Sequence, residues 1–321
     1  MLNSALAANA GDATAHYLLG TLLFSKAEYD PAIEHWDKAK ELSPKLPVLD
    51  ADLGRAWMHL RSDPARALKY FRDGIADDPI NPEIYIGLDE AMTLTGVSAK
   101  ERAEALGRYP SIETMPANLV YQLALARAEA REYSEALDLF NNRFFPSEEG
   151  GVSSRQVLFE IKLMQAETEA ASGGCAKAQE FLATEHPGLE VNGAISQPYI
   201  RMASVAKACQ HERQAQEFLK RAASSKNGAD AAWSLKAEKL VAHADAVMGL
   251  KRVQAALTSA KRTKDTSSYT GWWWYNIGTM ESALNHKDEA EKAFENALLL
   301  PDSMMSHHMS RAAMEALAST N

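Results

Sequence analysis

The sequence predicts an all-α chain: a solenoid of about eight antiparallel helical hairpins. Three observations predict it. From Ala13 to Pro44, ATAHYLLGTLLFSKAEYDPAIEHWDKAKELSP, two stretches of helical spacing (Tyr17, Leu19, Gly20, Leu23, then Ala32, Trp36, Ala39) flank a short polar break, so two apolar faces meet in one seam. The same order of small and large residues then returns, Gly20 to Gly54 being 34 residues and Trp36 to Phe71 being 35. A lone hairpin cannot bury its own apolar face, so copies must stack on it.

Residues Leu2 to Ala10 read as the last turns of a second helix whose own partner is absent, a remnant or capping helix over 1–12 that starts the chain in mid-repeat. In the first hairpin, Asp30 before Pro31 is a helix-start signal, because a capping carboxylate accepts orphan amide bonds and proline loses nothing at the first helical position. The second hairpin, LPVLDADLGRAWMHLRSDPARALKYFRDGIADDP, repeats Leu53-Gly54, Ala67, Phe71 and Pro79 and starts its second helix at Asp63-Pro64. The third, Asn81 to Tyr109, keeps Tyr85, Leu88 and Met92 but is degenerate, with a short second helix after Ser98 that lacks the large aromatic. The fourth, NLVYQLALARAEAREYSEALDLF, recovers the pattern with Ser134 as cap, Ala136 as the small crossing residue and Phe140 as the knob.

Asn141 to Ser154, with Pro146, Gly150 and Gly151, is the longest interruption, and long loops on rigid scaffolds are where function tends to sit. A fifth hairpin follows from Arg155 to His186, with Ala178 and Leu182, then a loop through Pro187, Gly188 and Asn192. A sixth spans Ser196 to Ala223 with Ala215, and a seventh combines Ala229 to Gly249 with Val253 to Arg262. The eighth, WWWYNIGTMESALNHKDEAEKAFENALLLP, carries Gly278, Ala290, Phe294, Ala297 and Pro301, and the amphipathic Ser306 to Ser319 caps it. The expected organisation is one continuous array: 13–140 for repeats one to four, 141–154 for the loop, and 155–321 for repeats five to eight with the capping helix.

This pattern resembles the tetratricopeptide repeat. The resemblance implies a right-handed superhelix whose concave groove is lined by the first helix of each hairpin. It places Thr14, Tyr17, Thr21 and Phe24 in the groove from the first repeat, Val48, Ala51, Arg55 and Met58 from the second, and Trp272, Tyr275, Thr279 and Ser282 from the eighth. Members that capture acidic C-terminal tails use a lysine and asparagine clamp at these positions, which this chain lacks, so that partner class is disfavoured. Three consecutive tryptophans cannot share a helical face: Trp274 is expected in the core, and Trp273 packs on a neighbouring hairpin or lies exposed. For Trp272 with Tyr275, burial under a neighbouring helix and partner binding both stand open.

Composition fits a folded chain: 46% of the 321 residues are hydrophobic and 24% charged, outside any class of disorder. The formal net charge of −9 comes from 34 basic and 43 acidic residues scattered along helices, which disfavours nucleic acid as a partner. No uncharged apolar run approaches a membrane span, and the start MLNSALAANAGDATAH lacks a signal-peptide pattern. Cys175 and Cys209, on different hairpins, are expected as two free, partly buried thiols, implying a reducing, cytoplasmic setting.

Nothing in the sequence makes a catalytic constellation. The nine histidines form no recognised metal spacing, and the adjacent His307 and His308 are expected to be solvated on the capping helix. No GxSxG, phosphate-cradling glycine loop or HExxH occurs, so no cofactor, metal or enzymatic activity is expected. Glu148 and Glu149 are loop carboxylates that could reach a ligand, set against their being ordinary solvated charge.

A narrower resemblance covers Ala13 to Phe218. The opening repeat YLLGTLLFSKAEYDPAIEHW, the segment SDPARALKYF and the loop RFFPSEEGG are similar to the C-terminal repeat region of large bacterial proteins that carry an N-terminal β-sandwich like that of galactose mutarotases. In that group the loop reads Arg-Phe-His-Pro-Trp-Glu-Gly-Gly. Here Arg143, Phe144, Pro146, Gly150 and Gly151 match, Glu149 takes the place of the acid, and Phe145 and Ser147 depart. The resulting expectation is a non-catalytic protein-interaction or scaffolding module that holds a protein or peptide in its groove. The alternative is the helical part of a carbohydrate-active protein whose sugar-binding domain precedes it. The front face of the first repeat, with Tyr17, Leu18 and Leu22, is a further candidate for homodimerisation.

Overall fold

The computed structural model describes residues 2–45, 48–145, 152–184, 195–242, 247–262, 270–300, 302 and 304–318. They form an all-α, tetratricopeptide-like solenoid of helices packed in adjacent antiparallel pairs. The chain divides into two compact units, Met1–Ala126 and Arg127–Asn321.

The first unit contains α1 (Leu2–Ala8), α2 (Ala13–Ser25), α3 (Tyr29–Leu42), α4 (Leu49–His59), α5 (Pro64–Asp77), α6 (Pro82–Leu94) and α7 (Ala99–Leu106), and most of α8 (Ala117–Glu129). Each hairpin closes where a glycine of its first helix meets an aromatic ring of its second. A Cβ on Gly20 would lie 2.5 Å from Trp36, and one on Gly54 would lie 2.6 Å from Phe71, while Ala32 and Ala67 are fully buried at the crossings. Phe71 also reaches the next hairpin, where a Cβ on Gly87 would stand 2.3 Å from its ring. The degenerate third repeat therefore lacks its own aromatic because its glycine is filled by the preceding one. Its two helices are joined instead by a buried bidentate pair, Arg102 Nε to Asp89 Oδ1 at 2.7 Å and Nη2 to Oδ2 at 3.1 Å.

The second unit holds the last turn of α8, then α9 (Tyr133–Asp138), α10 (Ser154–Ala171), α11 (Cys175–Ala183), α12 (Ser196–Ala208), α13 (Glu212–Ala223), α14 (Ala231–Ala242), α15 (Val247–Arg262), α16 (Gly271–Ala283), α17 (Lys287–Leu298) and α18 (Ser306–Ala318). Gly278 meets Phe294 as Gly20 meets Trp36, with a Cβ distance of 2.5 Å. Trp273 and Trp274 are partly buried against the core formed by α14 to α17 and pack edge to face, 4.8 Å apart. The buried carboxylate of Asp230 accepts the amides of Ile195 and Ser196, capping α12 from the following hairpin.

Seven of the turns inside the hairpins, among the described residues, share one device. Ala27, Ser62, Gly96, Arg131, Gly173, Gln210 and Asn285 all have positive φ, although only two of them are glycine. The residue after each donates its amide back across the end of the first helix, as Glu28 does to Leu23 O at 3.0 Å and Glu132 to Arg127 O at 2.8 Å. This turn fixes the start of the next helix, so α3 begins at Tyr29 after Glu28 and α9 at Tyr133 after Glu132. Asp30 and Ser134, expected as caps, lie inside their helices, whereas Asp63 does cap α5 by accepting the amide of Arg66.

The cysteines correct the expectation of free thiols. Cys175 at the start of α11 and Cys209 at the end of α12 form a disulfide with Cα atoms 5.4 Å apart. The two positions are not equivalent, since one starts the second helix of its hairpin and the other ends the first helix of the next. Both flank the turns of neighbouring hairpins, which stacking brings together. Disulfides persist in oxidising compartments, which removes the support the cysteines lent to a reducing one.

Candidate functional site

In the first unit, α2 and α4 turn a polar and aromatic face outward. Tyr17 Oη donates to Asp52 Oδ2 at 3.0 Å, and Arg55 Nη2 donates to Asp52 Oδ1 at 2.9 Å. Arg55 Nη1 stands 3.9 Å from Glu83 on α6, which extends the ladder across three helices. Burial, and then the Asp52 carboxylate, push the Tyr17 phenol up from its ordinary range. Thr21 donates to Tyr17 O at 3.1 Å and accepts from Trp36 Nε1 at 3.3 Å. Phe24 is exposed, its ring 5.2 Å from Trp36 and 5.3 Å from Tyr29. Thr14 is exposed beside them. Met58 departs from the expectation: at 0% exposure it belongs to the core between α4, α5 and α6, because the outer turn of α4 is covered by its neighbours.

In the second unit the expected face is covered. Trp272 is half-buried and stacks on Tyr275 at 5.3 Å, while Tyr275 is 2% exposed and Thr279 is buried. The covering element is α18, which packs on α16 and α17. A Cβ on Gly271 would lie 2.4 Å from Ser306 Oγ, so only glycine admits the start of α18 at this distance. Met309 lines the space beside Trp272 and Tyr275. Further along, Ala313, Ala316 and Leu317 face Thr279 and Ser282 across a cleft of about 280 Å³ that Trp233 and Lys236 of α14 also line. Tyr275 and Thr279 therefore do not face solvent.

His307 and His308 are also corrected, since both are buried. Asp302 accepts from Ser306 Oγ at 2.9 Å and from the His307 amide at 3.0 Å, and these bonds lead α18 into the unit with its histidines inward. His308 Nδ1 is 2.8 Å from Glu129 Oε1 on α8, and its Nε2 is 3.0 Å from Glu160 Oε1 on α10. Each ring nitrogen faces a carboxylate, so both donate and the ring is an imidazolium. Burial would lower its pKa, but Glu129 and Glu160 raise it to about 9.

Burial works against the Glu160 carboxylate too, yet Arg201 and His308 bring it down to about 2. Arg201 of α12 completes the cluster: Nη1 meets Glu160 Oε1 at 2.6 Å, while Nε and Nη2 clamp Glu167 at 2.8 Å each. Arg311 on α18 donates to Glu129 at 3.1 Å. The last helix of the unit is thus tied by charge to the first, across 179 residues of sequence between His308 and Glu129. One part of this cluster had a legible signal, because Glu160 and Glu167 lie two turns apart on one face of α10.

Of the loop candidates, three lie among the described residues. Phe144 is 88% exposed, and Phe145 packs on Phe140 at 5.2 Å with Arg143 6.0 Å over its ring. Glu148 and Glu149 lie outside the described residues, as does the loop through Pro187, Gly188 and Asn192. Among the described residues, no group of three or more His, Cys, Asp or Glu side chains could hold a metal ion, and no helix is long and apolar enough to cross a membrane.

Two segments, 13–46 and 274–302, match the family model of the tetratricopeptide repeat. They coincide with the first hairpin and most of α16 and α17, two of the places where glycine meets aromatic ring. No curated protein matches the chain. Among solved structures, the chain is similar to YrrB, described as a TPR protein with an unusual peptide-binding site, at 16% identity and a TM-score of 0.43, over 74% of this chain and 97% of that one. It is similar to MamA at 16% identity and a TM-score of 0.38, over 73% and 96%. A tetratricopeptide repeat protein from Parabacteroides merdae aligns at 13% identity and a TM-score of 0.41, over 94% and 98%.

Proposed function

We propose that the chain is a non-catalytic protein-interaction module, and that the face of α2 and α4 is where a peptide segment of its partner docks. The observation that supports this reading is the Tyr17–Asp52–Arg55 ladder, polar groups held in place by one another at a partly open surface. Side chains ordered before binding lose less conformational entropy when a partner arrives. Phe24 and Thr21 extend the ladder with an exposed ring and a hydroxyl, the mixture of aromatic and polar groups that interfaces favour.

A photo-crosslinking residue at Thr21 or Phe24, introduced into the chain in its native cell, is expected to trap a defined protein. The double variant Tyr17→Ala/Arg55→Ala is expected to cut the adduct at least tenfold. Traps at both positions that yield no adduct, or an adduct indifferent to the double variant, would count against this face.

A further inference from the structure

The cleft between α14, α16 and α18 is walled by apolar side chains, among them Trp233, Leu235, Ala283 and Leu317, and its volume is about 280 Å³. An apolar cavity of about 150 Å³ holds benzene, so this one has room for a body of about ten heavy atoms. That is near the lower end of the range for small-molecule sites. Its mouth is polar and positive. Lys236 and Lys239 of α14 are exposed there, and Ser282 of α16 and Asn285 of the following turn line it too. The Lys236 ammonium lies 5.1 Å from the centre of the Trp233 ring, which holds the charge beside the apolar wall. Among the described residues no carboxylate pairs with either lysine, and the side chains of Ser282 and Asn285 have no hydrogen-bond partner. Lys236 is exposed as a whole, but desolvation pushes its pKa below the ordinary value, and no anion offsets this. In a chain of net charge −9, this is a local reversal of sign at the edge of an apolar cleft.

We propose that this cleft binds a small organic anion with an apolar body, the body lying against Trp233 and the anionic end reaching Lys236 and Lys239 at the mouth. The two parts of the ligand do different work. Burying the body takes the walls of the cleft out of water. The anion accepts charge-assisted hydrogen bonds from the lysines, and the hydroxyl of Ser282 and the amide of Asn285 have further donors for its oxygens. An apolar molecule without charge would leave the lysines as they are, and a bare ion would leave the cleft wet. The site lies wholly within the second unit and stands whether or not the α2 and α4 face binds a peptide.

The probe is naphthylacetate, whose ring system has the size of the cleft, titrated calorimetrically into the full chain at low ionic strength. Saturable binding is expected. Naphthylethanol, the same body without the charge, is expected to bind at least fivefold more weakly, and acetate alone not to bind. The double variant Lys236→Gln/Lys239→Gln is expected to weaken naphthylacetate at least fivefold and to leave naphthylethanol unchanged, a split that a general loss of structure would not produce. Ala313→Leu, which fills the cleft from α18, is expected to weaken both compounds. Should a variant fail to fold, hydrogen exchange of the wild-type chain decides: bound naphthylacetate is expected to slow the amides of α14, the end of α16 and α18 and to leave α10 to α13 unchanged. The absence of saturable binding, equal affinity for the acid and the alcohol, an acid indifferent to the double variant, or protection confined to other helices overturns the proposal.

Discussion

Phe71 is held from two sides, by Gly54 of its own hairpin and Gly87 of the next, so its ring has nowhere to retreat. Gly54→Ala is therefore expected to destabilise the first unit by about 1–3 kcal/mol, the usual cost of overpacking, read as a shift in the urea midpoint. Ala27 poses the opposite case. Its φ of 62° is one that glycine adopts freely and alanine does not, so Ala27→Gly is expected to stabilise the hairpin by up to about 1 kcal/mol. The same denaturation curve checks it. His308 gives a prediction in pH. Its pKa in the folded chain is about 9, above the ordinary value of 6.5, so its contribution is complete below about pH 6.5 and is lost as pH rises toward 9. The groups facing it are Glu129 of α8, Glu160 of α10 and, through Glu160, Arg201 of α12, with Arg311 on its own helix. The protection of α18 amides, corrected for intrinsic exchange, is expected to fall across that window, and His308→Ala is expected to abolish the dependence.

At the scale of the element, the recurrence of the glycine and the aromatic ring was legible, but that the ring packs on the glycine of its own hairpin comes from the structure. Gly20 with Trp36, Gly54 with Phe71 and Gly278 with Phe294 follow the same rule. The left-handed turns were not legible, since Ala27, Arg131 and Gln210 are residues that give no local sign of positive φ. The disulfide was not legible, because its 34-residue spacing differs from the 37 residues between Gly173 and Gln210, the equivalent turn positions of the two hairpins, and pairing depends on which corners coincide once stacked. Replacing both Cys175 and Cys209 by serine is expected to cost about 3–4 kcal/mol, from the loop-closure entropy of a 34-residue loop. A lowered unfolding midpoint, matched by wild-type chain treated with reductant, checks it.

At the scale of the molecule, the sequence carried the class of fold, but not what would lie upon the first helix of its last hairpin. Trp272, Tyr275 and Thr279 share the expected face, and their burial comes from α18, whose inward turn depends on charges as far away as Glu129. A contact between residues 179 apart in sequence is one that no local pattern records. Arrays of this kind are held together by nearest-neighbour interfaces, so damage in one place need not spread. Gly54→Ala is accordingly expected to lower amide protection in α4 to α6 while leaving α10 to α13 unchanged, measured by hydrogen exchange on the full chain. The bond between Cys175 and Cys209 also has a mechanical meaning. If the two ends of the chain are pulled apart, the 34 residues it spans cannot lengthen. An oxidised molecule would then reach full extension roughly 110 Å shorter than a reduced one, at about 3.3 Å per residue. Under load the force would pass across the bond between the two cysteines, leaving α11 and α12 inside the closed loop shielded from tension after the hairpins around them had come apart.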